Sequence, residues 1–148
     1  MADDLTGAWT RVAAFASAFD ANLDRWLSEH FNLGLTEYWA LNFMEQAPDR
    51  ELRIAALAQN VGLTSTSTTR LVSRLEAKGL ARRDVCMEDG RGVYAVIDDS
   101  GAALLREARD PFEARVRDLL GNPQSHFPHL NTLALRAAFT QTGDALQP

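Results

Sequence analysis

The fold is decided by the stretch Thr64-Ser65-Thr66-Ser67-Thr68-Thr69-Arg70-Leu71-Val72-Ser73-Arg74-Leu75. Its six leading hydroxyl residues compete with a helical backbone for hydrogen bonds, so helix stability alone does not explain them. At about 100° per residue, Thr68, Leu71 and Leu75 share one helix face. The opposite face carries short polar side chains and a guanidinium: Ser65, Thr66, Thr69, Arg70 and Ser73. Such a face predicts close approach to the major groove of DNA, where Arg reads guanine and hydroxyls meet bases or phosphates.

The segment before this helix completes a helix–turn–helix. The spacing of apolar residues predicts a short helix over residues 54–60, after a very short strand at 52–54. Gly62 provides the turn into a helix that spans residues 64–78 and is closed by Gly79. The order of these elements is that of a DNA-binding helix–turn–helix.

A β-hairpin, or wing, is predicted after the helix–turn–helix. Residues 85–87 and 93–97 form two strands, and the Asp89-Gly90 pair between them is a strong hairpin signal. Arg91 at the tip is well placed to enter an adjacent minor groove.

Helices flank this winged unit on both sides. A long amphipathic helix is predicted from Leu5 to about Phe31, and Thr36 is the predicted N-cap of a second helix that ends near Gln46. After the wing, a helix capped by Asp98 or Asp99 is expected to have a kink or a boundary at Pro111, and a last helix starts near Pro128. The predicted fold is mainly α: a single domain of residues 1–148, with a winged helix–turn–helix at 36–100 and dimerisation helices at 1–34 and 101–148.

The charge distribution indicates an anionic partner. The chain has 148 residues and a net charge of −5. Between Arg50 and Arg83, seven basic residues stand against Glu51 and Glu76, so this segment carries +5 and the rest of the chain −10. The net charge by itself argues against nucleic acid, but a basic segment between acidic ends favours an anionic partner for that segment.

Other chemistry finds little support. Cys86 is the single cysteine, which excludes an intrachain disulfide and is better explained as a buried strand residue than as a redox switch. The three histidines form no metal-binding motif, and neither a phosphate-binding glycine loop nor a nucleophile elbow is present. No apolar run is long enough to cross a bilayer, and the first residues are acidic. We therefore expect a cytoplasmic protein that is neither an enzyme nor dependent on a metal or cofactor.

At this point the sequence resembles the MarR (multiple antibiotic resistance regulator) family. The resemblance runs from about Leu35 to Gly101 and depends on the order and spacing of short pieces, each weak alone. Those pieces are Leu35-Thr36 with Trp39 and Leu41, Ala55-Ala56-Leu57-Ala58, Val61-Gly62-Leu63, Thr69-Arg70-Leu71-Val72, Arg74-Leu75-Glu76, Lys78-Gly79-Leu80, Arg83, Asp89-Gly90-Arg91 and Gly101.

The resemblance implies a homodimeric bacterial or archaeal transcription regulator that binds double-stranded DNA. The residues it implies as DNA contacts are Ser65, Thr66, Thr69, Arg70, Ser73, Arg74 and the wing Arg91. Of these, Arg74 would contact a phosphate or brace the wing, and Asp89 would support the wing. Many family members are repressors released by small aromatic ligands. A site for such an effector is expected at Trp26, His30, Trp39, Asn42 and Phe43, although core packing also explains most of these side chains.

Some positions depart from the family pattern. Thr68 stands where an apolar residue is usual, which predicts looser packing under the recognition helix. Gly90 replaces a common Arg at the wing tip, which removes one phosphate contact, and Asp98 replaces a Thr cap. Asn42 stands at a position usually held by Leu, so it either faces solvent or lines a polar pocket.

A second class of function stays open from the sequence. The acidic net charge also suits a winged helix that binds another protein through its hydroxyl-rich face, without specific DNA binding. The two classes differ in salt dependence, since DNA binding releases counterions and weakens steeply as salt rises.

Overall fold

A computed structural model gives the architecture and describes residues 4–86 and 92–148. The helices described are α1 (Leu5–Phe31), α2 (Leu35–Gln46), α3 (Ile54–Val61), α4 (Ser65–Ala77), α5 (Asp99–Gly121), α6 (Pro123–His126) and α7 (Thr132–Ala145). A short 3-10 turn at Pro48–Arg50 precedes the first strand, and the strands are β1 (Glu51–Arg53), β2 (Ala81–Cys86) and β3 (Gly92–Ile97). This element order confirms the predicted winged helix–turn–helix within a mainly α chain.

The three strands form one small antiparallel sheet in the order β1-β3-β2. Ala95 at the centre of β3 pairs with Leu52 on one side and with Arg83 on the other. β2 and β3 are the strands of the wing, and β1 joins the wing to the helix–turn–helix. Because β1 and β2 both pair with β3, the sheet fixes the chain segment before α3 relative to the segment after α4.

Helix α4 forms despite its hydroxyl-rich start because its first turn is capped and its inner face is buried. Thr64 is the N-cap, and its Oγ1 accepts a hydrogen bond from the Ser67 backbone N at 3.1 Å. Leu71, Val72 and Leu75 are fully buried on the inner face. Their burial offsets the low helix propensity of the first turns.

The chain separates into two compact units. One unit consists of residues 27–111 and contains the winged helix–turn–helix. The other consists of the N-terminal residues through Trp26 together with residues 112–148. Aromatic contacts centred on Phe15 hold the second of these units, with ring centroids of Phe19, Phe127 and Phe139 at 5.4, 5.8 and 5.8 Å from it.

Four predicted boundaries were wrong. Helix α2 begins at Leu35 after Gly34, which has an extended backbone, so Thr36 lies within the first turn and is not the N-cap. Helix α7 begins at Thr132, because the side chain of Asn131 accepts from the Ala134 backbone N and caps it there. The region near Pro128 forms only turns.

The other two corrections concern β2 and α5. Strand β2 begins at Ala81, four residues before the predicted start. The segment 81–84 is mostly polar, and it is a strand because its backbone pairs with β3. Helix α5 continues through Pro111, so no boundary lies there, while the kink that the sequence also allows at Pro111 stays a prediction. Pro111 removes one backbone hydrogen bond, while buried residues on both sides of it, Ala108 and Leu119, keep the helix intact.

Candidate nucleic-acid interface

The outer face of α4 carries the predicted contact residues. All six of them, Ser65, Thr66, Thr69, Arg70, Ser73 and Arg74, are exposed, while Thr68, Leu71 and Leu75 are buried. The assignment of the two faces by helical spacing is therefore confirmed. The described structure places these polar side chains along one exposed side of a single helix.

The hydroxyl groups of α4 are anchored to the helix backbone. Thr69 Oγ1 donates to the Ser65 carbonyl at 2.9 Å, and Ser73 Oγ donates to the Thr69 carbonyl at 3.1 Å. Each hydroxyl oxygen keeps acceptor capacity for an outside donor. The buried Thr68 donates in the same way to the Thr64 carbonyl at 2.8 Å, so the structure accommodates its hydroxyl without an unpaired polar group.

Arg70 carries an exposed positive charge on this face. Among the residues that the structure describes, it forms no ion pair or hydrogen bond, and it is exposed. Its neighbours one turn before it, Ser65 and Thr66, also make no side-chain hydrogen bond within the described chain. An unpaired guanidinium beside free hydroxyls can form the bidentate contact with guanine that Arg makes in the major groove.

Arg83 of β2 braces the same helix from the wing side, a role that sequence reasoning missed. Its Nη2 donates to Ser73 Oγ at 2.6 Å and to the Thr69 carbonyl at 2.9 Å, and its Nη1 pairs with Glu76. The structure therefore places Ser73, a predicted DNA contact, in a link between α4 and the sheet. Arg83 stood among the family-like residues, but nothing in its local sequence identified the atoms it holds.

Arg74 lies beside a buried carboxylate. Its Nε is 3.7 Å from Oε1 of Glu37 in α2, and Lys78 Nζ is 2.7 Å from Oε2 of the same residue. Lys78 Nζ also donates to the Asn32 carbonyl at 2.7 Å. The structure thus places Arg74 toward α2. Its predicted contact with phosphate or with the wing stays a prediction.

A groove borders the first turn of α4. It has a volume of about 300 Å³ and is lined by Arg53, Ile54, Ala55, Ser65, Gly92 and Val93. Arg53 ends β1 directly opposite Tyr94 of β3, and its Nε donates to the Tyr94 hydroxyl at 3.3 Å. This cross-strand contact holds a guanidinium at the edge of the groove, next to the predicted base-reading residues.

The wing is described only in its strands. Val85 and Val93 face each other across β2 and β3, and both are exposed. Asp89, Gly90 and Arg91 lie outside the described residues, and so does the side chain of Cys86, whose backbone ends β2. The predictions made for these residues stay predictions.

The predicted effector residues occur in both compact units. Trp26 belongs to the unit that includes residues 112–148, and its ring centroid is 6.3 Å from that of Phe112. The unit of residues 27–111 contains the others: His30, Trp39, Asn42 and Phe43. Asn42 is half-buried and donates to a carbonyl of its own helix at 2.9 Å, so its amide is partly satisfied without a ligand. Their binding role stays a prediction.

Other candidate chemistry is sparse in residues 4–86 and 92–148. No group of three or more His, Cys, Asp or Glu side chains there is placed to hold a metal ion. His126 instead lies 2.9 Å from Asp118 through Nε2. None of the described helices has the length and apolar character of a membrane span.

The element order, the three-stranded sheet and the polar face of α4 define a winged helix–turn–helix protein. The sequence model of the MarR family matches residues 31–92, which span the end of α1, the helix–turn–helix and most of the wing. This match confirms, for residues 31–92, the resemblance to the MarR family found in the sequence. Among proteins with curated descriptions, none matches the sequence.

Solved structures of transcriptional regulators share the fold. Sco3205, a MarR family transcriptional regulator from Streptomyces coelicolor in complex with DNA, is 28% identical with a TM-score of 0.71, covering 95% of this chain and 86% of that one. AbsC from the same organism is 24% identical with a TM-score of 0.74 and coverages of 100% and 93%. BldR, a transcriptional regulator from Sulfolobus solfataricus, is 24% identical with a TM-score of 0.71 and coverages of 77% and 80%.

Proposed function

We propose that this protein is a sequence-specific DNA-binding transcription regulator, which acts as a homodimer and a ligand-responsive repressor on a pseudo-palindromic operator. The observation that carries the proposal is the exposed face of α4, where Arg70 is unpaired among short hydroxyl side chains. Arg70 reads guanine, and Ser65, Thr66 and Thr69 contact bases or nearby phosphates. Two such helices enter successive major grooves, about one helical turn (10–10.5 bp) apart. The solved DNA complex of Sco3205 supports this use of the fold.

Salt dependence tests DNA binding against the second candidate, a protein-binding winged helix, which the net charge of −5 favours. The measurement is the affinity for a fluorescent random-sequence duplex at several salt concentrations. For DNA binding, the logarithm of the affinity falls linearly with the logarithm of the salt concentration, by about 0.9 per neutralised phosphate. No binding at low salt would contradict the regulator and favour the protein-binding module.

Arg53→Ala is expected to weaken binding to all duplexes by a similar factor. In this proposal Arg53 contacts a backbone phosphate at the groove beside Ser65, and a phosphate contact carries no sequence information. The salt slope should therefore fall by about one, with the base preferences unchanged. Arg82→Ala is the matched control, because Arg82 is an exposed arginine of the same sheet that pairs with Asp98 at 2.6 Å. Equal losses in both variants would contradict a specific role for Arg53.

Homodimerisation is proposed through the unit that contains residues 112–148. This unit exposes large apolar side chains, among them Trp9, Leu120, Leu133 and Phe139. Leu133 of α7 is 79% exposed, which makes it the most exposed of these four side chains and the one chosen for the test.

Leu133→Glu is expected to shift a dimer toward the 16.3 kDa monomer in sedimentation at micromolar concentration. The reason is that a carboxylate placed in an apolar interface loses hydration without gaining a partner. Leu133→Met, which keeps an apolar side chain of similar size, should remain dimeric. A wild-type chain that sediments as a monomer would contradict the homodimer.

An effector can release the repressor only by binding one arrangement of the protein more tightly than the other. We propose a small aromatic effector that contacts His30, Trp39, Asn42 and Phe43, the predicted effector residues within the unit of residues 27–111. Its expected signature is a loss of operator affinity that saturates with effector concentration, accompanied by a change in tryptophan fluorescence.

A further inference from the structure

Glu37 is the one buried carboxylate among the described residues, with 6% of its surface exposed. A buried charge is costly unless it is paired. Its partners come from the last turn and the C-cap of α4: Lys78 Nζ lies 2.7 Å from Oε2, and Arg74 Nε lies 3.7 Å from Oε1. The recognition helix is therefore joined to α2 through one negative charge and two positive charges.

The same cluster ties α4 to the turn between α1 and α2. Lys78 Nζ donates to the carbonyl of Asn32 at 2.7 Å, and Asn32 has a left-handed backbone with φ of 52°. Because Lys78 holds both this carbonyl and the Glu37 carboxylate, its amine is drawn inward and its side chain is only 29% exposed. The helix termini agree with these charges, since Glu37 lies in the first turn of α2 and the two cations lie at the end of α4.

Arg74 is close to the face that would meet DNA, and Lys78 follows it by one further helical turn. Arg74 follows Arg70 by one helical turn and is on the same side of α4, with its side chain 51% exposed. A cation beside DNA attracts phosphates of every sequence equally, so it increases general affinity and adds no discrimination between bases. Pairing Arg74 and Lys78 with Glu37 reduces that contribution, while Arg70 stays unpaired.

We propose that Glu37 is a positioning residue for recognition: it withholds Arg74 and Lys78 from the DNA backbone and thereby increases the preference for operator over other DNA. This inference rests on the proposed DNA-binding function. Glu37 lies in α2, outside the helix–turn–helix, and yet it would limit how strongly the positive charges of the recognition helix attract DNA phosphates.

Glu37→Gln tests the proposal, because glutamine keeps the shape of the side chain and an acceptor oxygen for Lys78 while removing the negative charge. Affinities for an operator selected by the wild-type protein and for a random duplex are measured between 50 and 200 mM salt. The expected result is tighter binding to the random duplex, a salt slope steeper by about one per recognition helix, and a smaller operator preference. Over this fourfold salt range, one added contact costs the variant about a further threefold in affinity.

Two further variants separate this role from a structural one. Glu37→Gln combined with Lys78→Gln leaves Arg74 as the one charge of the cluster, so its net charge is again +1, as in the wild type, and the salt slope should return to the wild-type value. Glu45→Gln is the matched control on α2: it deletes an equal charge from a pair with Arg50, which retains Asp99 at 3.5 Å as a second partner. The slope of Glu45→Gln should equal that of the wild type.

The outcomes are distinct. If Glu37→Gln weakens binding to both duplexes in equal proportion with an unchanged slope, Glu37 only maintains the structure and the proposal is overturned. An equally steep slope in Glu45→Gln would overturn it as well, since net charge alone would explain the effect. A wild-type chain without preference for any duplex would overturn the proposed function, and this inference with it.

Discussion

Arg70→Ala is expected to lower operator affinity by about fivefold to 150-fold per recognition helix and to abolish the base preference at one position of each half-site. A bidentate contact between Arg and guanine contributes about 1–3 kcal/mol of discrimination, which corresponds to this range. Arg70 is the variant with the largest expected effect on DNA binding because its guanidinium is exposed and unpaired among the described residues. The measurement is a titration of operator duplexes that carry each of the four base pairs at the affected position.

Two substitutions control for charge. Arg70→Lys keeps the cation but loses the planar fork, so we expect a salt slope close to the wild-type value together with a lost base preference. Arg117→Ala removes an exposed arginine that pairs with Glu113 at 3.0 Å on α5, outside the winged unit. If Arg70→Ala retained the wild-type preference at every position, the assignment of Arg70 as the base-reading residue would be wrong.

Gly101→Ala is expected to lower the free energy of unfolding by about 3 kcal/mol, through overpacking in a site that cannot widen. A Cβ at position 101 would lie 2.3 Å from the Leu80 carbonyl oxygen and 2.9 Å from Cγ1 of Ile97. That backbone carbonyl accepts a hydrogen bond from the Asp98 N at 3.0 Å, so moving it away would weaken this hydrogen bond. For a chain of this size, the expected fall in melting temperature is about 6–12 °C.

Gly143→Ala is the matched control for this prediction. Gly143 lies within α7, and a Cβ built there meets no atom within 4 Å. Alanine in place of a helical glycine should stabilise the protein by about 0.5–1 kcal/mol. Thermal unfolding followed by circular dichroism separates the two variants, and an unchanged melting temperature for Gly101→Ala would contradict the close packing of α5 against Leu80, which directly precedes β2.

The recognition helix could be predicted from sequence because its information is local. Helical spacing alone separated the buried Thr68, Leu71 and Leu75 from the exposed hydroxyl face. Gly62 was predicted as the turn residue, and its φ of 72° is the left-handed backbone conformation that glycine adopts most easily. The signals for both features lie within a few residues of the positions they determine.

Features that depend on residues far apart in the chain could not be predicted from the sequence. The first four residues of β2 have no strand-like pattern and become a strand because β3 pairs with them. The brace from Arg83 to Ser73 and the pair between Lys78 and Glu37 join residues that are 10 and 41 positions apart. A carboxylate 41 residues before its partner has no local signature, so Arg74 was predicted as a DNA or wing contact without its neighbour Glu37.

The most direct test of the central claim is selection of bound duplexes from a random DNA pool, with sequencing of the bound fraction at two salt concentrations. The account predicts an enriched inverted repeat whose half-sites are about one helical turn apart, with guanine enriched where Arg70 binds. It also predicts fewer recovered duplexes at the higher salt. A bound fraction with no enriched motif at either salt would contradict sequence-specific regulation by this protein.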